Sequence, residues 1–144
     1  MSAKLIDGKA VSERVREGVR QEVEHWVASG NPAPGLATIL VGDDPASEVY
    51  VRNKVKTGGD SGLVVDLIRL PATASLDDVL AVVRRLNASP VHDGILVQSP
   101  LPAALGPHAE MTVFETIDPA KDVDGFSPIN VGRLVQNRAT LKSC

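Results

Sequence analysis

Leu36-Ala37-Thr38-Ile39-Leu40-Val41-Gly42-Asp43-Asp44-Pro45 opens with an almost continuous apolar run and closes with a turn. A short run of this kind, bounded by Gly and Pro, reads as a strand buried on both faces. Strands of that sort belong to parallel sheets with helices on either side. Asp44 is placed to cap a following helix, with Pro45 at its first position. The stretch therefore predicts a strand that feeds directly into a helix.

Downstream, the helix carries Tyr50 and Lys54 and meets Gly58-Gly59, which reads as its stop. Leu63–Leu70 is a second strand. Pro71–Ser75 is a loop, and Ser75 with Asp78 resembles a helix-entry box with Asp in place of Glu. Leu76, Val79, Leu80, Val83 and Leu86 mark a third helix, ended by Asn87-Ala88-Ser89-Pro90. Asp93–Gln98 is a third strand, which runs into Ser99-Pro100-Leu101-Pro102. A further helix is expected around Ala109–Thr116.

Upstream, Asp7-Gly8-Lys9 opens a helix whose apolar stripe is Val11, Val15, Val19, Val23, Trp26 and Val27. Ser29-Gly30-Asn31-Pro32 stops it, and Gly18 weakens it by about 1 kcal/mol relative to Ala. After Ile117 the texture changes. Residues 118–128 read as an ordered loop, and Ile129–Val135 as one or two helical turns.

Helices thus alternate with strands. That rhythm predicts an α/β domain, a three-layer α/β/α arrangement on a mostly parallel sheet with right-handed crossovers. Ligands in such sheets collect beyond the carboxyl ends of the strands. Gly42–Pro45, the residues after Leu70, and Gln98–Pro102 are expected at that rim.

Composition narrows the function classes. The chain has 144 residues, about one domain, and a net charge of −3. One Trp, one Tyr and two Phe leave little for base stacking, and no Lys/Arg run exceeds two residues, so nucleic acid is not an expected partner. The single cysteine, Cys144, excludes a disulfide within the chain and fits a reducing compartment, with the cytoplasm or an organelle matrix as the default. His25, His92 and His108 lack ligand spacing, so no metal is expected. The N-terminal stretch lacks the long apolar core of a signal peptide, and no window approaches the length of a membrane span, so neither is expected. GxGxxG, GxxxxGK[ST] and GxSxG are all absent, which disfavours dinucleotide or phosphate cradles and a serine hydrolase.

Three places carry candidate chemistry. Tyr50 and Lys54 are an i, i+4 pair and share one helix face. A phenol and an amine there can stack a flat ring and move a proton. The bland alternative is a solvated helix with a surface Tyr. Gln98, at a strand end, is either a ligand's hydrogen-bond partner or a satisfied edge amide. Asp122 and Asp124 flank Val123, so in an extended segment both point to one side. They are suited to a metal, to basic residues or to a heterocycle's amino groups, while Gly125 argues for a simple turn.

Together these elements resemble a known family. Val49–Lys56, Gly94-Ile95-Leu96-Val97-Gln98-Ser99-Pro100-Leu101-Pro102 and Lys121-Asp122-Val123-Asp124-Gly125-Phe126 stand in the order and spacing of the bifunctional methylenetetrahydrofolate dehydrogenase/methenyltetrahydrofolate cyclohydrolase family. Leu5–Lys9, Val41–Ser47 and Asn130–Leu134 are similar as well, so the resemblance covers essentially the whole chain.

The resemblance implies roles. Tyr50 would pack on the folate rings, Lys54 would be the catalytic lysine, Gln98 would hold and tune it, and Asp124 would grip the pterin's amino edge. Ser99 and Pro100 would line the substrate. The family oxidises 5,10-methylene-tetrahydrofolate with NADP and hydrolyses the methenyl cation to 10-formyl-tetrahydrofolate. Two positive charges repel, so a bound cation favours a neutral lysine able to take a proton from water. A homodimer is a further expectation.

Departures accompany it. Ser99 replaces the usual Leu, and Gly58-Gly59 falls where better helix formers are usual. The chain stops at Cys144, where the family enters a Rossmann-type NADP domain. The expectation is a folate-binding catalytic domain over residues 1–144, its segment from about 118 being interdomain, with NADP bound elsewhere and at most cyclohydrolase activity by itself. Two alternatives stay open: a non-catalytic folate-binding or interaction module, and a fragment of a longer enzyme.

Overall fold

The computed structural model describes residues 7–138. Leu5, Ile6 and the segment Thr140–Cys144, with its lone cysteine, lie outside the described residues. The elements are α1 (Gly8–Ala28), β1 (Gly35–Val41), α2 (Pro45–Asp60), β2 (Val64–Leu70), α3 (Leu76–Asn87), β3 (Gly94–Val97), a short 3-10 turn (Ala103–Leu105), α4 (Ala109–Thr116) and α5 (Pro128–Val135). The three strands form one parallel sheet in the order β2-β1-β3.

The central strand is β1, buried over almost its whole length. Side chains alternate across a strand. Ala37, Ile39 and Val41 join Ile95 and Val97 on one face, packed with Val79, Val83 and Leu86 of α3 and Val113 and Ile117 of α4 in one core. Ile39 is fully buried, and trimming it to Ala would cost about 2–5 kcal/mol. Leu36, Thr38 and Leu40 fall on the opposite face, and Leu36 and Leu96 there look towards α2. The sheet is thus covered on both faces, in three layers.

Local chemistry sets the helix starts. Asp7 accepts from the Ala10 N–H at 3.0 Å, and Asp44 from the Ser47 N–H at 2.8 Å, with Pro45 opening α2. Ser75 and Asp78 close a reciprocal capping box at α3. The segment after β3 meets the turn after β1: a Cβ added to Gly42 would lie 3.4 Å from Pro102 and 3.8 Å from Ala72. The three rim segments expected from sequence do come together.

Two expectations need correction. First, α2 does not stop at Gly58-Gly59 but runs through to Asp60. Gly58 packs so close to β2 that an added Cβ would lie 2.7 Å from Val65 Cγ2. The stop is Gly62, whose φ of 87° suits only glycine well. Second, the α1 stripe forms on a helix as expected, yet only Val23 is buried. Val11, Val15, Val19, Trp26 and Val27 are all exposed.

Candidate functional site

Helix α2 points one stripe of side chains at a cavity of about 490 Å³. Tyr50, Asn53, Lys54, Thr57, Gly58 and Ser61 recur at helical spacing along it. Val51, fully buried, anchors the helix on the sheet and fixes which way that stripe faces. Val15, Arg16 and Val19 of α1 form one wall, and Leu36, Leu63 and Leu96 line the sheet side. Asp124 reaches in from the loop after α4.

The cavity therefore joins Tyr50, Lys54 and Asp124 from two separate elements. It lies along the face of the sheet, under α2, rather than wholly beyond the strand ends. Gln98, Ser99 and Pro100 are not among its lining residues. The Gln98 N–H donates to Ile39 O at 2.9 Å, extending the ladder past β3. Its side-chain Nε2 donates to Ser99 O at 2.7 Å, and its Oε1 is buried without a partner among the described residues. Ser99 Oγ and Thr38 Oγ1 are likewise buried without partners. Buried polar groups are normally paired, so three orphans near the end of β3 mark a polar place beside an otherwise apolar sheet.

The two aspartates, which would share a side only in an extended segment, divide. Asp122 turns inward and is 4% exposed. It accepts from the N–H groups of Gly125, Phe126 and Ser127 and from the Asn130 side chain. That is the turn reading. Asp124 alone faces the cavity. Burial raises its proton affinity above the usual aspartate range. The Lys54 charge pulls it back, and the Asp122 charge adds to the rise.

Backbone packing fixes the loop. Ile95 N–H donates to Lys121 O at 2.7 Å, and Lys121 Nζ donates to Leu86 O and Ser89 O at the end of α3. Val123 lies over Gly94, where any Cβ would come within 2.6 Å of Val123 Cγ1. Sequence reading missed Asn53, Thr57 and Ser61, although extending the Tyr50/Lys54 face by three and four residues would have found them. Arg16 also lines the cavity, and it lies off the apolar stripe of α1 with no local signal that marks it.

Among the described residues no cluster of three His, Cys, Asp or Glu could hold a metal ion, and no helix is long and apolar enough to cross a membrane.

Comparisons with known proteins agree on one family. The sequence model described as "Tetrahydrofolate dehydrogenase/cyclohydrolase, catalytic domain" matches residues 6–124. The chain is 46% identical to the bifunctional protein FolD of Rhodopirellula baltica, covering 100% of this chain and 49% of that protein. It is 51% identical to FolD of Acidiphilium cryptum, with the same shares. Among solved structures, a 5,10-methylenetetrahydrofolate dehydrogenase of the silkworm Bombyx mori superposes with a TM-score of 0.92 at 38% identity, over 99% of this chain and 48% of that one. The FolD enzyme of Trypanosoma brucei, solved with NADP and an inhibitor, gives 0.86 at 32% identity, over 96% of this chain and 47% of that one. The chain spans about half the length of the curated relatives it matches. With its matched motifs, its sheet order and a family match over most of its residues, the chain belongs to the tetrahydrofolate dehydrogenase/cyclohydrolase family.

Proposed function

We propose that this chain binds a reduced folate and takes part in interconverting 5,10-methylene-, 5,10-methenyl- and 10-formyl-tetrahydrofolate. Residues 1–144 act in this reading as the folate-binding catalytic domain, and the segment from about 118 as an interdomain connection. The observation that carries the proposal is the meeting of Tyr50, Lys54 and Asp124 in one cavity.

Each group has a role that its chemistry suits. The exposed Tyr50 ring offers a flat face to the folate's rings. Asp124, when ionised, accepts from the amino edge of the pterin. Lys54 acts in its neutral form as general base. Water attacks the carbon that bridges the two folate nitrogens, and its proton passes to the Lys54 amine. The bond from that carbon to N5 then breaks as the adduct's hydroxyl loses its proton to solvent and becomes the formyl C=O; N5 takes the first proton back from Lys54, and the formyl group stays on N10. Gln98 Oε1, which has no partner among the described residues, would accept from the Lys54 amine when the two approach, and Ser99 and Pro100 would border the substrate beside it.

The family's oxidation step uses NADP, and the described residues do not fit a dinucleotide. Helices α2 and α3, which follow strands, have their first N–H groups taken by their own side chains. Asp44 holds the Ser47 N–H, and the Ser75–Asp78 box closes α3, so a pyrophosphate would meet carboxylates there. The chain's own contribution is to bind the folate and to move the proton in hydrolysis.

A cytoplasmic setting is supported by the single cysteine and by one-carbon chemistry. Self-association as a homodimer is supported by the uncovered apolar stripe of α1.

The direct test is spectrophotometric hydrolysis of 5,10-methenyl-tetrahydrofolate, with and without NADP. Lys54→Ala should lower the rate by about 100-fold or more while circular dichroism stays unchanged. Equal rates for the two proteins would end this reading.

A further inference from the structure

We infer that Asp122 is a positioning residue for Asp124: its buried carboxylate folds residues 122–127 into the turn that presents Asp124 to the cavity. The inference rests on the reading of Asp124 given above and deepens it.

An ordinary Asx turn needs one accepted bond from the backbone two or so residues on. Asp122 makes four. Its Oδ1 accepts from the N–H groups of Gly125 at 3.0 Å and Phe126 at 3.3 Å. Its Oδ2 accepts from the Ser127 N–H at 2.8 Å and from Asn130 Nδ2 at 3.0 Å. None of the four donors is charged. Burying a charge without a counter-ion is costly, and a neutral Asn would serve a simple turn. Only a carboxylate offers acceptors on both oxygens, and an Asn here would turn an N–H towards donors on one side.

What the four bonds secure is the direction of the chain at Asp124. On one side, Lys121 is held through its carbonyl to Ile95 and through its amine to the end of α3, while Val123 rests on Gly94. On the other, the Phe126 ring meets Phe114 of α4 edge-on, centroids 5.2 Å apart. Asn130 passes the restraint to α5, donating to Pro119 O at 2.9 Å and accepting from Arg133 at 3.2 Å. Asp124 sits between these fixed points, and a carboxylate that must meet a ligand's donor edge gains from having no slack. The charge of Asp122 also contributes to the raised proton affinity of Asp124, so the two acids are coupled electrically as well as through the backbone.

The test is calorimetric titration of the chain with tetrahydrofolate and, separately, with p-aminobenzoyl-glutamate, which lacks the pterin. Asp124→Asn and Asp122→Asn should each weaken tetrahydrofolate binding about tenfold or more. Both should leave p-aminobenzoyl-glutamate within about twofold, because a bond to the pterin edge is absent there. The double variant should bind no more than about twofold worse than Asp124→Asn alone, since Asp122 acts through Asp124. Additive losses, an equal loss for both ligands, or unchanged binding by Asp122→Asn would overturn the inference. An Asp124→Asn chain that binds as tightly as the original would instead overturn the reading of Asp124, and the inference with it. If Asp122→Asn fails to fold, Asn130→Ala removes one of the four donors and carries the same comparison. A smaller loss confined to tetrahydrofolate is then expected, and an unchanged affinity counts against it.

Discussion

Lys54 and Asp124 line one cavity from different elements, yet burial outweighs the lysine's charge and leaves the Asp124 carboxyl with a raised proton affinity. Folding therefore makes the ionised form of Asp124 less comfortable than it is in the unfolded chain. Because the folded value is the higher one, its contribution favours the fold at low pH and is lost as pH rises through that value. Asp124→Asn should accordingly raise the melting temperature at neutral pH. The gain should shrink on acidification and vanish below about pH 4, where both states hold the proton. Thermal melts of the two proteins across that range check this, and a neutral-pH loss of stability would contradict it.

The two neighbouring glycines of α2 should answer differently to the same change. Gly59 has open space where a Cβ would go, so Gly59→Ala should stabilise the chain by about 0.5–1 kcal/mol through helix propensity alone. Gly58 lies against Val65, and an Ala there must push β2 away from the helix. Overpacking of that kind costs about 1–3 kcal/mol, more than the propensity gained, so Gly58→Ala should destabilise. Urea denaturation of both variants measures the contrast.

Acid should weaken the helix starts. The Asp44 carboxyl is held below its ordinary range by the N–H and hydroxyl of Ser47, and that of Asp78 by Ser75. The Arg69 guanidinium does the same for Glu48. Groups with lowered values stabilise the fold above their unfolded values and lose that effect as pH falls through the folded ones. Stability should thus decline below about pH 4. Ser75→Ala should cost about 1 kcal/mol at neutral pH and flatten part of the acid decline, because Asp78 then loses the hydroxyl donor and keeps only the backbone N–H of residue 75. Melting curves of this variant at several pH values test the link.

The parts legible in the sequence were those set by local rules. The run Leu36–Val41 fitted a doubly buried strand, Ser75 and Asp78 resembled a helix-entry box, and Ala109–Thr116 was read with its structural bounds. Local rules failed where a distant contact decides. Gly58 looks like a stop until Val65 is seen against it. Asp122 and Asp124 point together only in an extended chain, and the chain bends at Val123 and Asp124. For Gln98, a strand-end position was readable, but not that its amide would turn onto Ser99 and leave Oε1 unpaired. Periodicity fixed α1 as an amphipathic helix and could not say what its apolar side touches.

That apolar side yields the last prediction. Val11 is 43% exposed, Val15 60% and Val27 44%, all on one stripe. Trp26 is 51% exposed, with its indole N–H tied to Pro32 O, so its ring edge stays fixed at the surface. Each such side chain gains about 1.5–3 kcal/mol on full burial. Several together, less the cost of association, put self-association in roughly the micromolar to millimolar range. Light scattering should show mass rising with concentration. Val11→Glu with Val27→Glu, which spares the cavity-lining Val15 and Val19, should return the chain to a monomer and leave its circular dichroism unchanged. A wild-type chain that stays monomeric across that concentration range would show that the stripe is not sticky enough to pair by itself.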